Sequence, residues 1–300
     1  MSKAGMILEG GGTRGVFTAG VLDYFMERGL YLPYVIGVSA GACNAVDYVS
    51  RQPGRTKMCT IDFLEAGSYI GLKSLIQTHS LFNMDLIFDV FPNKLIPFDY
   101  DTYFSSGATC ILTATNCLTG KAAYLTEDKD RNRLMAICRA SSSLPVISQM
   151  VKVDGIPMLD GGLADSVPIR KALRDGVKKN IVILTRQEGY RKPPAKKTLK
   201  MAQIMYSRYP NLIKAIKYRA YFYNKTMELL EDLESRGHVF VIRPQVPVIK
   251  NTEDRVDVLT AFYQHGYEYA EDVFEQAAAY LRWDGRDMAG QAENRKTEEK

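Results

Sequence analysis

The stretch Tyr34 to Asn44, Y-V-I-G-V-S-A-G-A-C-N, constrains this chain more than any other. Val35 to Val38 is a short, β-branched apolar run, the signature of a buried strand. Ala40 to Val46 continues in small, helix-compatible residues. Gly37 and Gly41 flank Ser39 in the pattern G-x-S-x-G, a sharp strand-to-helix turn that lifts a serine hydroxyl above a sheet. A side chain at either glycine would crowd so tight a bend. The helix that follows points free N–H groups toward negative charge building beside the serine. The same letters also suit a glycine-lined turn with a capping serine, so the flanking sequence has to separate a nucleophile from a turn.

Ala4 to Leu8 reads as a first strand and runs straight into Gly10-Gly11-Gly12-Thr13-Arg14-Gly15. Val16 to Gly29 reads as a helix. The order strand, glycine loop, helix, strand, serine turn, helix is a βαβα unit, which implies a parallel sheet in an α/β fold. Such a sheet brings both turns to its carboxyl edge, where open α/β sheets bind ligands. Three readings of the glycine loop compete. Gly10-x-Gly12-x-x-Gly15 fits the dinucleotide fingerprint, which needs an acidic residue near the end of the second strand, and Gly37-Val38-Ser39 supplies none. A purely structural turn is the second. The third is an oxyanion hole, in which backbone donors preset around a tetrahedral intermediate face a nucleophile delivered by the second strand.

Further along, residues 50 to 106 are rich in Phe, Tyr, Asp and Asn and read as irregular helices over the active edge. Ala108 to Thr115 is a buried strand, and Gly120 to Leu125 pairs with it through a turn at Leu118 to Gly120. Asp130 to Ala140 reads as a helix ending in Ser141-Ser142-Ser143-Leu144-Pro145. Met150 to Val153 and Ile156 to Leu159 flank Asp154-Gly155, a strong hairpin signal. The hairpin ends in Asp160-Gly161-Gly162, and Asp165 to Pro168 opens a helix. Asn180 to Thr185 is another buried strand. Aspartate before two glycines is a common turn that bonds only its own backbone. It also suits a general base held beside Ser39, since a serine hydroxyl is a poor nucleophile until a base takes its proton. Histidine is the usual base, but none of His79, His238 and His265 sits in a glycine-rich turn after a strand. A partly buried aspartate with a raised pKa can serve instead.

Taken together, Gly10-Gly11-Gly12-Thr13-Arg14-Gly15, Gly37-Val38-Ser39-Ala40-Gly41 and Asp160-Gly161-Gly162 resemble the oxyanion loop, nucleophile turn and D-G-G motif of the patatin-like phospholipase family. Ala140 to Pro145 is similar to a further block of that family. The resemblance spans residues 4 to 170. It implies a three-layer α/β/α sandwich with a mainly parallel sheet, acting on lipid acyl esters with no metal or other cofactor. It implies Ser39 as nucleophile, Asp160 as base without histidine, Gly10, Gly11 and Gly12 as the oxyanion hole, and Arg14 fixing that loop. Glu9 departs from the serine or aspartate of many members. Two alternatives are an α/β-hydrolase-like esterase completing a triad with His238 or His265, and a catalytically degenerate lipid-binding protein.

From Gly189 to Met227 the chain carries ten Lys or Arg and no acid, interleaved with tyrosines. This reads as a solvated basic face on one or two helices over Thr198 to Leu233, or as a surface for anionic lipid headgroups. No nucleic-acid motif accompanies the charge. His238 to Ile242 is a strand that joins the sheet, and Asp254 to Trp283 is a final helix. The expected organisation is a single domain over 1–285, with a mostly helical extension from 189 to 285 and a polar tail over 286–300. Five scattered cysteines argue for reduced thiols, a cytoplasmic protein and no zinc site, while the basic stretch allows peripheral contact at the inner membrane face. No apolar run reaches 18 residues, so no membrane-spanning helix is expected. The letters carry no sign of oligomeric state.

Overall fold

The computed structural model describes residues 4–66, 83–283 and 285. His79 and the 286–300 tail lie outside the described residues. Eight strands form one sheet: β1 (Ala4–Leu8), β2 (Tyr34–Val38), β3 (Thr109–Asn116), β4 (Ala122–Leu125), β5 (Val151–Val153), β6 (Ile156–Asp160), β7 (Lys179–Ile183) and β8 (Val239–Ile242). Their order is β5-β6-β3-β2-β1-β7-β8, with β4 also paired to β3. The pairs β3-β2, β2-β1, β1-β7 and β7-β8 are parallel, while the β5-β6 hairpin and β4 add antiparallel pairs beyond β3.

Alternation along the central strands divides the core in two, because successive side chains leave a strand on opposite faces. Met6, Leu8, Val35, Ile181 and Ile183 enter one core, and Ile7, Tyr34, Ile36 and Val182 enter the other. The first core is closed by α1 (Gly15–Glu27), α2 (Ala40–Val49), α4 (Arg131–Ser141) and α8 (Val256–Leu281). The second is closed by α5 (Ile169–Arg174) and α7 (Pro210–Ser235). The fold is therefore a three-layer α/β/α sandwich with both faces of its parallel centre covered. A third cluster joins Leu159 and Leu163 to α6 (Lys196–Met205) and the start of α7, through Ala202, Tyr206, Leu212 and Ile216. The basic stretch after residue 195 is thus two helices, broken at Tyr206–Tyr209 before Pro210, which is favoured in the first helical turn.

Helix α8 crosses α1 through two glycines. A Cβ on Gly20 would lie 2.2 Å from the Tyr263 carbonyl, and one on Gly266 would lie 2.2 Å from the Phe17 carbonyl. Only hydrogen fits between those backbones. Part of the 50–106 stretch winds as π-helix over Met58–Asp62 and Leu86–Leu95, the latter containing Pro92. Its only regular α-helix longer than four residues among the described ones is α3 (Tyr100–Ser105), capped by Asp99, which accepts from the Thr102 amide at 2.9 Å.

Candidate active site

Parallel strands β1, β2 and β7 all end at one edge of the sheet, and the chemistry-bearing residues of the sequence meet there. Strand β2 stops at Val38, and Ser39 adopts φ 56° and ψ −124° before α2 begins. That backbone conformation is rare outside glycine and persists only where the surroundings dictate it. Three restraints act on it. The Ser39 amide donates to Ser141 Oγ at 2.9 Å, and the same hydroxyl donates to the Thr113 carbonyl at 2.7 Å. The Ser39 carbonyl accepts from the amides of Ala42 and Cys43. Gly37 and Gly41 are pressed on backbone: an added Cβ would come within 2.2 Å of the Gly41 carbonyl and 2.4 Å of the Leu8 carbonyl, respectively.

Asp160 closes β6, which runs antiparallel to β3, so that it lies opposite Ala114 near the end of β2. Its amide donates to the Ser143 carbonyl at 2.7 Å, and its carbonyl accepts from the Thr115 hydroxyl at 2.8 Å. The carboxylate is buried. Oδ1 accepts from the Gly162 amide at 2.8 Å, and Oδ2 has no partner of good hydrogen-bond geometry. Burial raises its pKa above the ordinary aspartate value, while Arg219, the nearby Ser39 hydroxyl and the Gly162 amide pull the other way.

Gly10, Gly11, Gly12, Arg14, Ser39 and Asp160 line one small cavity of about 90 Å³. Among the described residues the amides of Gly11 and Gly12 make no hydrogen bond, which leaves them as free donors. Gly12 has φ +59°, and a Cβ there would strike the Asn251 carbonyl at 2.2 Å, so this position takes glycine alone. The next amide, Thr13, donates to that carbonyl at 3.1 Å. Glu9 anchors the loop from beneath: one oxygen accepts from the Thr185 amide and hydroxyl, the other from the Tyr223 hydroxyl at 2.9 Å. Its unusual identity thus has structural partners at the end of β7 and on α7.

The same cavity has a basic lining. Arg186, Lys192 and Arg219 line it together with Arg14. Burial and the nearby Arg186 pull the Arg14 guanidinium down to about 10. Burial, with Arg219 and Arg14 close by, pulls the Lys192 ammonium down to about 7.

On the other side of Ser39 lies a second cavity of about 150 Å³, lined by Val16, Met84, Ile87, Phe88, Pro92 and Phe98 among others. Ser39, Gly12 and Leu144 line both cavities, so the serine sits at their junction. Leu144 belongs to a loop in which Val146 has φ 75°, an uncommon backbone for a β-branched residue. The Val146 amide is held at 2.8 Å by the hydroxyl of Tyr206, the residue that caps the end of α6.

His238 and His265 stand apart from the site. His238 is exposed just before β8, at the sheet edge opposite the site, and His265 on α8 accepts from the Gln245 amide and stacks on Tyr269. Neither lines either cavity. Among the described residues no group of three or more His, Cys, Asp or Glu could hold a metal ion. Ser141, Thr185, Arg186, Lys192, Arg219 and Tyr223 are site residues that no motif assigned; the serine triplet and the basic stretch held the signals for Ser141, Lys192 and Arg219.

A family model described as patatin-like phospholipase matches residues 6–173, more than half of the chain. The chain belongs to the patatin-like phospholipase family. The patatin-like stretch contains Ser39, Asp160, the glycine loop and Arg14, whereas Arg186, Lys192 and Arg219 lie beyond it. A second model, described as a domain of unknown function (DUF6363), matches residues 209–282 and includes Arg219 and Tyr223. The chain is 28% identical over 253 residues to the uncharacterized protein YjjU of Escherichia coli K12, spanning 82% of this chain and 70% of that protein. Among solved structures, VipD from Legionella pneumophila is similar over 92% of this chain and 67% of its own, at 14% identity and a TM-score of 0.49. Among the described residues no helix is long and apolar enough to cross a membrane.

Proposed function

We propose that this patatin-like protein is a serine lipid acyl hydrolase that cleaves fatty-acyl esters of phospholipids or lysophospholipids through an acyl-enzyme. The observation that carries the reading is Ser39 at the junction of an apolar cavity and a polar one that also holds Asp160 and the glycine loop. The acyl chain occupies the apolar side. Ser39 Oγ attacks the ester carbonyl as Asp160 takes its proton, and the free amides of the loop stabilise the oxyanion. The carbonyl–oxygen bond to the alcohol then breaks, and Asp160 returns the proton to the leaving alkoxide. Water, deprotonated by Asp160, attacks the acyl-enzyme, and the proton passes to Ser39 as the fatty acid leaves. Arg14 fixes the loop, and the segment after residue 189 works as part of the same domain, a reading supported by β8 in the sheet and Arg219 at the site.

The test is release of free fatty acid from mixed phospholipids and lysophospholipids, followed by mass spectrometry. The wild type should release it, and Ser39→Ala and Asp160→Asn should each lose nearly all turnover, because the two act as a unit. A fluorophosphonate should label Ser39. Lipid binding without turnover or labelling would replace this reading with a lipid-binding protein.

We further propose that α6 and α7 settle on anionic membrane, at the inner face in a cytoplasmic protein. Ile204 is 80% exposed, with Met201, Met205, Tyr221 and Phe222 also exposed, and Lys196, Lys197, Lys200, Lys214 and Lys217 lie among them.

A further inference from the structure

The four basic side chains beside Ser39 form an unusual wall. Arg14, Arg186, Lys192 and Arg219 line the small cavity, and among the described residues none of them forms an ion pair with a carboxylate within 4.0 Å. The two acids of that cavity are occupied otherwise: Glu9 holds Thr185 and Tyr223, and Asp160 caps Gly162. Arg14 is 91% buried by its 9% exposure, yet its Nε has no hydrogen-bond partner. A buried, unpartnered guanidinium nitrogen is costly unless a ligand satisfies it.

The others are held in place. Arg186 lies over the Tyr190 ring at 4.3 Å, Lys192 over the Tyr223 ring at 4.0 Å, and Arg219 donates through Nε to the Gly162 carbonyl at 2.6 Å. Guanidinium forks and an ammonium facing one small volume suit a compact anion with several oxygens.

We propose that this wall is a subsite for a phosphate group, and that the phosphate is that of the lipid whose acyl chain fills the apolar cavity. The inference rests on the reading of Ser39 as nucleophile. It divides the substrate at the scissile ester, with the hydrocarbon on one side of Ser39 and the phosphate-bearing alcohol on the other. Three of the four cations come from outside the patatin-like stretch, one of them from α7. Burial first, and then the neighbouring Arg219, lower the Lys192 pKa, so an anion bound there would favour its charged form. Arg219 bonds the Gly162 carbonyl beside Asp160, and Arg219 and Lys192 both pull on that carboxyl, whereas Arg186 is held on the Tyr190 ring, so Arg186 is the residue to vary.

Two measurements test it. In the first, Ser39→Ala protein is titrated with inorganic phosphate by calorimetry against chloride at equal ionic strength. Binding should weaken at least tenfold when Arg186→Gln is added and recover in part with Arg186→Lys. In the second, kcat/KM is measured for a 1-acylglycerol 3-phosphate and for the neutral 1-acylglycerol of the same chain. The wild type should prefer the phosphate ester, and Arg186→Gln should cut that preference at least tenfold, with Arg186→Lys restoring part of it. Absence of phosphate binding, or binding indifferent to Arg186, overturns the subsite. Arg186-dependent binding of free phosphate with no substrate preference overturns the assignment to the lipid head group. If the wild type hydrolyses neither ester and Ser39 resists fluorophosphonate, the hydrolase reading fails, and the phosphate titration alone decides the subsite.

Discussion

Replacing Ser141 by alanine removes one oxygen that serves two buried groups. The Ser141 hydroxyl accepts from the Ser39 amide at 2.9 Å and donates to the Thr113 carbonyl at 2.7 Å. Ser141 and Thr113 are both fully buried, so solvent does not replace the hydroxyl from outside. Each polar group left unsatisfied costs about 1–3 kcal/mol, giving about 2–6 kcal/mol for the pair. The Ser39 backbone itself carries strain of about 1–3 kcal/mol, tolerated while its neighbours fix it. Loosening the amide therefore lets the nucleophile drift as well as weakening the fold. Urea unfolding followed through Trp283, the sole tryptophan, should show a stability loss of that size. Fatty-acid release should fall at least tenfold at urea-free conditions where the variant is folded, since small misplacements of a nucleophile are costly. Ser142→Ala serves as the stability control, because among the described residues that hydroxyl meets only the Cys43 sulfur at 3.8 Å. If Ser141→Ala unfolds at the same urea concentration as the control, the hydroxyl bridge does not hold the turn.

Acidification should abolish turnover as Asp160 takes up a proton and can no longer receive that of Ser39. Because burial raises this pKa, the acid limb should lie above the ordinary aspartate range, and a limb within that range would contradict the assignment. His238→Ala and His265→Ala should each keep most of the turnover, measured as fatty-acid release by folded protein; loss in either would point to a triad. Charge reversal at Lys196, Lys197, Lys200, Lys214 and Lys217 should weaken sedimentation with anionic vesicles, each lysine contributing at most about 1 kcal/mol. Wild-type binding should fade in salt, since the Debye length falls to about 3 Å at 1 M, and unchanged binding on charge reversal would return these helices to a merely solvated face.

The motifs were legible because each is local. Strand, glycine turn and helix follow one another within a few residues at Gly10 and at Ser39, and the D-G-G turn closes a hairpin whose own turn is Asp154-Gly155. The supports of those motifs are far away in the chain. Glu9 meets partners 176 and 214 residues on, and no local pattern marks Thr185 or Tyr223 as its neighbours. The basic stretch was legible as charge but not as direction. A helix distributes successive residues around its axis, so Lys217 faces solvent while Arg219, two positions on, turns to the site. The Gly20–Gly266 crossing was hidden for a similar reason, since glycine in a helical pattern shows its purpose only once the partner helix is known.

The loop that carries Leu144 has a mechanical consequence. Leu144 lines both cavities, and two residues later Val146, at φ 75°, donates its amide to a phenol just past α6 and packs on the cluster beneath it. That phenol belongs to Tyr206, the neighbour of Met205 and two residues from Ile204, which project into solvent on the same helix. On the proposed membrane contact, lipid against those exposed side chains would reach, through the Tyr206 hydroxyl and the packing of Val146 on the same cluster, a backbone that stores strain. Breaking that hydroxyl bond would remove one of the restraints on the loop, and Leu144, which lines both cavities, would be the first site residue to feel it.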